Sequence, residues 1–204
     1  SPLQGIENYF SPASQVTYAE GYSSVPTQNR HALLLEAVDA ARKADVVIFV
    51  GGLNKNENQD CEGADRRSLN LPYGQDELIG ELARVNRNLV AVIISGNAVA
   101  MPWVNEVPAI VEAWYGGTEA GNAIASVLAG EVNPSGKLPF TFPVRLEDNP
   151  AIALDAYPGD GKQVEYKEGI FVGYRWNDRE RIKPLFCFGH GLSYTTFEYG
   201  KVTA

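Results

Sequence analysis

Three short apolar runs limit what this chain can become. Val46-Val47-Ile48-Phe49-Val50 and Leu89 to Ser95, the latter with Val90, Val92, Ile93 and Ile94, are continuous and rich in β-branched residues. Ala109 to Tyr115 is the third. Unbroken runs of this kind suit strands buried on both faces, as in a parallel sheet. Helical patterns separate them. Asn29 to Ala44 places Leu33, Leu34, Ala37, Val38 and Ala41 at helical spacing, with Pro26-Thr27 as a start signal. Asp76 to Val85 sets Leu78, Ile79, Leu82 and Val85 on one face. A further helix runs to Leu128, with Thr118 as its cap, Glu119 near its positive end and Gly130 as its stop. Alternating strands and helices predict an α/β fold, a three-layer sandwich of a mostly parallel sheet flanked by helices on both faces. Gln15 to Ala19 adds a short strand pattern near the start.

The last third reads differently. Asn133-Pro134-Ser135-Gly136 is a turn, and Lys137 to Pro143 is extended and bounded by prolines. From 144 to 204, scattered aromatics are interrupted by prolines and glycines. That pattern predicts a loop-rich C-terminal segment with short β strands, Gly191 to Tyr199 among them. The 204 residues are read as one domain, 1–204, with 144–204 as a loop-rich extension. The opening Ser1-Pro2 reads as part of a longer chain. A net charge of -8 argues against nucleic acid, whose phosphates need a basic surface. No run approaches the roughly 18 apolar residues of a membrane-spanning helix. Cys61 and Cys187 have no metal-ligand spacing and leave one disulfide or two free thiols open. His31 and His190 have no second ligand nearby in sequence, which argues against zinc.

Chemistry concentrates in the loop from Asn54 to Pro72, where carboxylates, asparagines and arginines follow the first apolar run and Gly51-Gly52. Long polar loops after a buried strand often carry function. Few apolar anchors also predict a loop that is poorly ordered or displaced. Glu62 precedes Gly63, which lets the backbone turn and present the side chain. In a dry cleft such a glutamate could act as a general acid, although a lone loop glutamate is more commonly just solvated. Glu57 and Asp60 are rival carboxylates. Asp65 and Arg66 are expected to brace the loop by a salt bridge. Gly116 to Gly121 lacks the phosphate-binding fingerprint and is expected to serve close strand-to-helix packing. Ser95-Gly96-Asn97 is not a nucleophile elbow. Retaining glycosidases need two carboxylates across the scissile bond, and no obvious aspartate stands at a strand end here to act as nucleophile.

Several separate blocks resemble one family. Glu62-Gly63-Ala64-Asp65-Arg66-Arg67-Ser68-Leu69-Asn70-Leu71-Pro72 is similar to the E-G-x-D-R-x-x-L-x-L-P block of glycoside hydrolase family 3, the β-glucosidase-like enzymes. Ser95-Gly96-Asn97 with Met101-Pro102-Trp103, Ala113-Trp114-Tyr115-Gly116-Gly117 and Asn133-Pro134-Ser135-Gly136-Lys137-Leu138-Pro139-Phe140-Thr141-Phe142-Pro143 look like further blocks of its C-terminal domain. Gly173-Tyr174-Arg175 and Pro184-Leu185-Phe186-Cys187-Phe188-Gly189-His190-Gly191-Leu192-Ser193-Tyr194-Thr195 resemble the closing ones. They follow family order through nearly the whole chain. Gly116-Gly117-Thr118, Ser126 and Cys187 depart from the usual residues. The family's domains also open with a strand reading I-A-V-I-G-P that is absent here, so the resemblance implies a sheet short of one strand.

The resemblance implies that Glu62 is the general acid/base of a retaining β-glycosidase and that Asp65 and Arg66 support it from behind. Asn56, Asn58 and Asp60 become candidate contacts to a leaving-group sugar. The nucleophile would be an aspartate of a preceding (β/α)8 barrel domain, so the chain alone is expected to be inactive. The implied substrate is a β-linked oligosaccharide or glucoside, with no metal or organic cofactor, in a bacterial protein acting in the periplasm or outside the cell. The competing reading is a non-catalytic carbohydrate-binding or scaffolding α/β domain.

Overall fold

The computed structural model describes residues 1–203 apart from Pro12, Thr27, Glu57, Asp160 and Gly161. Thr27 of the helix start signal and the rival carboxylate Glu57 therefore lie outside the described residues. Strands β1 (Val47–Gly52), β2 (Leu89–Ile94) and β3 (Ala109–Glu112) form a parallel sheet in chain order. Val47 lies opposite Leu89, and Val90 opposite Ala109. Ala91, Val92 and Ile93 are all buried. Adjacent strand residues point to opposite faces, so the middle of β2 is covered on both. Helix α3 (Gln75–Val85) is the crossover from β1 to β2, with Leu78, Ile79, Leu82 and Ala83 buried. Helix α2 (Arg30–Lys43) adds Ala37, Val38 and Ala41 to the same core. Its cap is Asn29, whose side chain accepts from the Ala32 N–H.

Several elements differ from the sequence expectation. Gln15 to Ala19 is not a strand and has no ladder partner among the described residues, and an unpaired strand leaves its backbone groups to solvent. Pro2–Phe10 forms helix α1, capped by Ser1. It packs on α4 (Ala120–Leu128), and Gly5 meets Gly121 so closely that a Cβ on either would collide with backbone across the interface. Gly121 thus serves helix-to-helix rather than strand-to-helix packing. Thr118 does not cap α4. Glu119 occupies the cap position without bonding the backbone, and its carboxylate accepts from Asn122 instead. Gly130 ends the helix as expected, at φ 77°.

Among the described residues, 144–204 contain two further α-helices, α5 (Pro150–Ala153) and α6 (Tyr174–Glu180), and a 3-10 turn at Leu146–Asp148. Gly191 to Tyr199 is not a strand. The described β contact of this segment is a bridge between Phe186 and Phe142. Around it, Leu138 N–H donates to His190 O at 2.8 Å and Phe142 N–H to Phe186 O at 2.9 Å. Asn133 accepts from the Tyr194 N–H and donates to the Thr195 hydroxyl. Two of the quoted sequence blocks are therefore laid side by side. Phe142, only 1% exposed, sits between Trp114, Phe140 and Phe186. Phe142→Ala is expected to lower the unfolding free energy by about 3–5 kcal/mol in urea titrations. The exposed Phe197→Ala should stay within about 0.5 kcal/mol of the parent.

Candidate active site

The 53–71 loop leaves the carboxyl end of β1 and returns at the start of α3. One side chain holds both ends. Gln75 is fully buried. Its Oε1 accepts from the Gly52 N–H at 2.7 Å, while its Nε2 donates to Gly52 O at 2.9 Å and Pro72 O at 3.0 Å. Next to it, Asp76 accepts from the Leu71 N–H and from Trp103 Nε1. Burial pushes the Asp76 carboxyl above its usual range, and those two donors oppose the shift. Gly52 lies so near Ile94 that a Cβ there would strike its carbonyl.

The first half of the loop closes on itself. Asp60 N–H donates to Asn54 O, and Asn54 N–H to the Gln59 side chain. Asn56 Nδ2 and Gln59 Nε2 both donate to the Tyr73 hydroxyl, at 3.2 and 2.6 Å. Tyr73 reaches under the loop from a left-handed backbone conformation, φ 62°, of the kind that costs roughly 1–3 kcal/mol and clusters at functional sites. Asn58 is also left-handed, exposed, and makes no side-chain hydrogen bond among the described residues.

The second half lands on the neighbouring strands. Asp60 Oδ2 accepts from the Gly96 N–H at 2.6 Å and from the Tyr115 hydroxyl at 2.8 Å. Arg66 Nη1 donates to Ala98 O at 2.7 Å, while Nη2 is enclosed without a partner among the described residues. Burial lowers the Arg66 pKa, opposed by the charge of Asp60. The expected Asp65–Arg66 salt bridge does not form. Asp65 accepts instead from the Tyr157 hydroxyl at 2.9 Å, while Arg66 is drawn to Ala98 O. Between these anchors Glu62 stands exposed, with no side-chain hydrogen bond among the described residues. Cys61 beside it is a free thiol whose Sγ faces Ala64 O, and Cys187 is also free.

Behind Asp60, at the end of β3, lies Glu112. Its Oε2 is shut off from solvent and unpartnered among the described residues. The Ser95 hydroxyl is 2.8 Å from Asn97 O and 3.1 Å from Glu112 Oε1. One hydroxyl has one proton, so both contacts are hydrogen bonds only when Glu112 carries its own. Burial pushes the Glu112 pKa up to about 7; Ser95 and the Trp114 N–H oppose this, and the charge of Asp60 adds to it. Sequence reading passed over Gln75, Tyr73, Tyr115 and Glu112. Glu112 alone carried a sequence signal, an ionisable residue inside an apolar run.

A family model described as the glycosyl hydrolase family 3 C-terminal domain matches residues 1–174. The chain belongs to glycosyl hydrolase family 3. A relative of this family-3 chain, "Beta-glucosidase BoGH3A" of Bacteroides ovatus, is 55% identical over 213 residues, which cover 98% of this chain and 28% of that protein. The β-glucosidase of Kluyveromyces marxianus, solved in complex with glucose, superposes with a TM-score of 0.80 at 41% identity over 88% of this chain and 22% of its own. A Bifidobacterium adolescentis family-3 β-glucosidase reaches a TM-score of 0.84 at 37% identity over 94% of this chain and 28% of its own. The family-3 chain spans about a quarter of the length of the curated relatives it matches.

Glu112 makes stability depend on pH. Folding raises its pKa, so the folded state holds this proton more tightly than the unfolded one. Its contribution is complete below about pH 4.5 and is lost as pH rises through about 7. Against a Glu112→Gln variant, the parent should lose roughly 3 kcal/mol of unfolding free energy between pH 4 and 8. Urea titrations across that range measure the difference.

Proposed function

We propose that this chain carries the acid/base half of a retaining β-glucosidase active site, with Glu62 as the proton-transferring residue. The observation that carries the reading is the contrast within one loop. Asp60, Asp65 and Arg66 are each tied to a distant part of the fold, while Glu62 between them projects free into solvent. A glutamate held at its flanks and left bare at its carboxyl is placed to meet a ligand from outside the chain. The names of the relatives and neighbours give the ligand class, a β-glucoside.

In this reading a (β/α)8 barrel domain of the same protein supplies the aspartate nucleophile and the rest of the sugar pocket. Glu62 protonates the departing glycosidic oxygen as the aspartate attacks the anomeric carbon, leaving a glycosyl-enzyme. The ionised Glu62 then takes a proton from water, which displaces the aspartate and releases the sugar with retained configuration. Asp65 and Arg66 support the loop from behind, and Asn58, unlike Asn56 and Asp60, has no side-chain hydrogen bond among the described residues and is left for a leaving-group sugar. The reading also places the intact protein in the periplasm or outside the cell.

The 204-residue chain alone is expected to give no turnover of an aryl β-glucoside; sustained hydrolysis by the purified chain would sink the shared-site reading. In the full-length protein, Glu62→Ala should lower turnover of poor leaving groups by about 10²–10⁴-fold. A dinitrophenyl glucoside, which needs little acid help, should suffer far less in its first step. Azide should then speed breakdown of the glycosyl-enzyme. If Glu57→Ala or Asp60→Ala shows azide rescue and Glu62→Ala does not, the assignment is wrong.

A further inference from the structure

We propose that Asp60 and Tyr115 form a latch that positions the Glu62 segment for proton transfer, which makes both of them positioning residues for the reaction. This rests on the reading of Glu62 as the acid/base. Asp60 precedes Glu62 by two residues, a span of at most about 7 Å, so movement of one is felt by the other. Its Oδ2 takes two donors at once, the Gly96 N–H beyond β2 at 2.6 Å and the Tyr115 hydroxyl beyond β3 at 2.8 Å. Those donors come from two separate strand ends, so the carboxylate pins the loop to the sheet rather than to itself.

Gly96 gives a second, independent indication. A Cβ there would lie 2.9 Å from Tyr115 Cε2 and 3.3 Å from Asp60 Oδ2, so the latch closes over a position with no room for a side chain. Four residues past Glu62, Arg66 makes the matching attachment through its 2.7 Å bond to Ala98 O. Glu62 therefore rides on a short span, 61–65, held at one end by Asp60 and at the other by Arg66. Tyr115 is 47% exposed, yet loss of hydration around its hydroxyl, followed by the bond to Asp60, raises its pKa well above the usual tyrosine value. It stays a donor through the neutral range. Asp60 accordingly has its donor-accepting oxygen filled from within the fold, in contrast to the bare Asn58.

The test uses the full-length enzyme with Tyr115→Phe, Asp60→Ala and Asp60→Asn, assayed as kcat/KM on an alkyl β-glucoside and on 2,4-dinitrophenyl β-glucoside. A displaced general acid harms only the substrate that needs protonation. Tyr115→Phe and Asp60→Ala should lower kcat/KM for the alkyl glucoside by roughly 10- to 100-fold. The dinitrophenyl substrate should stay within about two-fold, and Asp60→Asn, which keeps an acceptor oxygen, should fall between. Equal losses on both substrates, or no loss on either, overturn the latch. Glu62→Ala is measured alongside. If it shows the leaving-group dependence and the latch variants do not, the latch alone is wrong. If Glu62→Ala itself lacks that dependence, the acid/base reading fails and takes the latch with it. Tyr115→Phe removes one part-exposed oxygen, so its result stands even if Asp60→Ala fails to fold.

Discussion

The polar loop after β1 depends on one buried amide. Gln75 has no exposed surface, and its three hydrogen bonds go to the two backbone positions where the loop leaves and re-enters the fold. A primary amide suits this place because it both accepts and donates. A glutamate would bring a buried charge and lose the two donors, and a leucine would leave the Gly52 N–H and two carbonyls unmatched. Each unmatched group in a dry interior costs about 1–3 kcal/mol. Closing the loop at its base shortens the free span whose entropy the other contacts must overcome. Tyr73, Asp60 and Arg66 can then orient the loop with one or two hydrogen bonds each.

The carboxyl end of the sheet concentrates charge. Asp60 accepts from two donors, Arg66 lies close enough to feel its charge, and Glu112 is enclosed behind Ser95. Two carboxylates and one guanidinium in this space would leave a net negative site if both acids ionised. Protonation of Glu112 removes that excess and matches the hydrogen-bond geometry at Ser95. The sheet end thus presents the engaged Asp60 carboxylate and, next to Ser95, a Glu112 whose pKa burial raises to about 7.

Much of this was legible in the sequence where the signal was local. The β-branched runs at 46–50 and 89–95 marked strands because burial on both faces demands continuous apolar side chains. The spacing in 29–44 and 76–85 marked helices because one face of each meets the core. The parts that were not legible depend on distant partners. Helix α1 is short and holds through backbone contact with α4, which no pattern within residues 2–10 reveals. Residues 15–19 have a strand pattern but no neighbour to pair with. At the candidate site the polar loop stood out in the sequence, while its anchors did not. The adjacent Asp65 and Arg66 suggested each other. Their actual partners, Tyr157 and Ala98, lie 92 and 32 positions away.

The pairing of 138–142 with 185–190 bears on where this domain can be cut. The family match ends at residue 174, yet Leu138 and Phe142 donate their N–H groups to His190 and Phe186, and Asn133 holds Tyr194 and Thr195. A piece trimmed at 174 would open a row of backbone donors and acceptors and strip Phe142 of the Phe186 ring. An unpaired edge beside exposed aromatics is a template for association between copies. The smallest piece that keeps its own hydrogen bonds runs through Thr195. The closing sequence block is therefore as much a wall of the sheet domain as the strands that precede it.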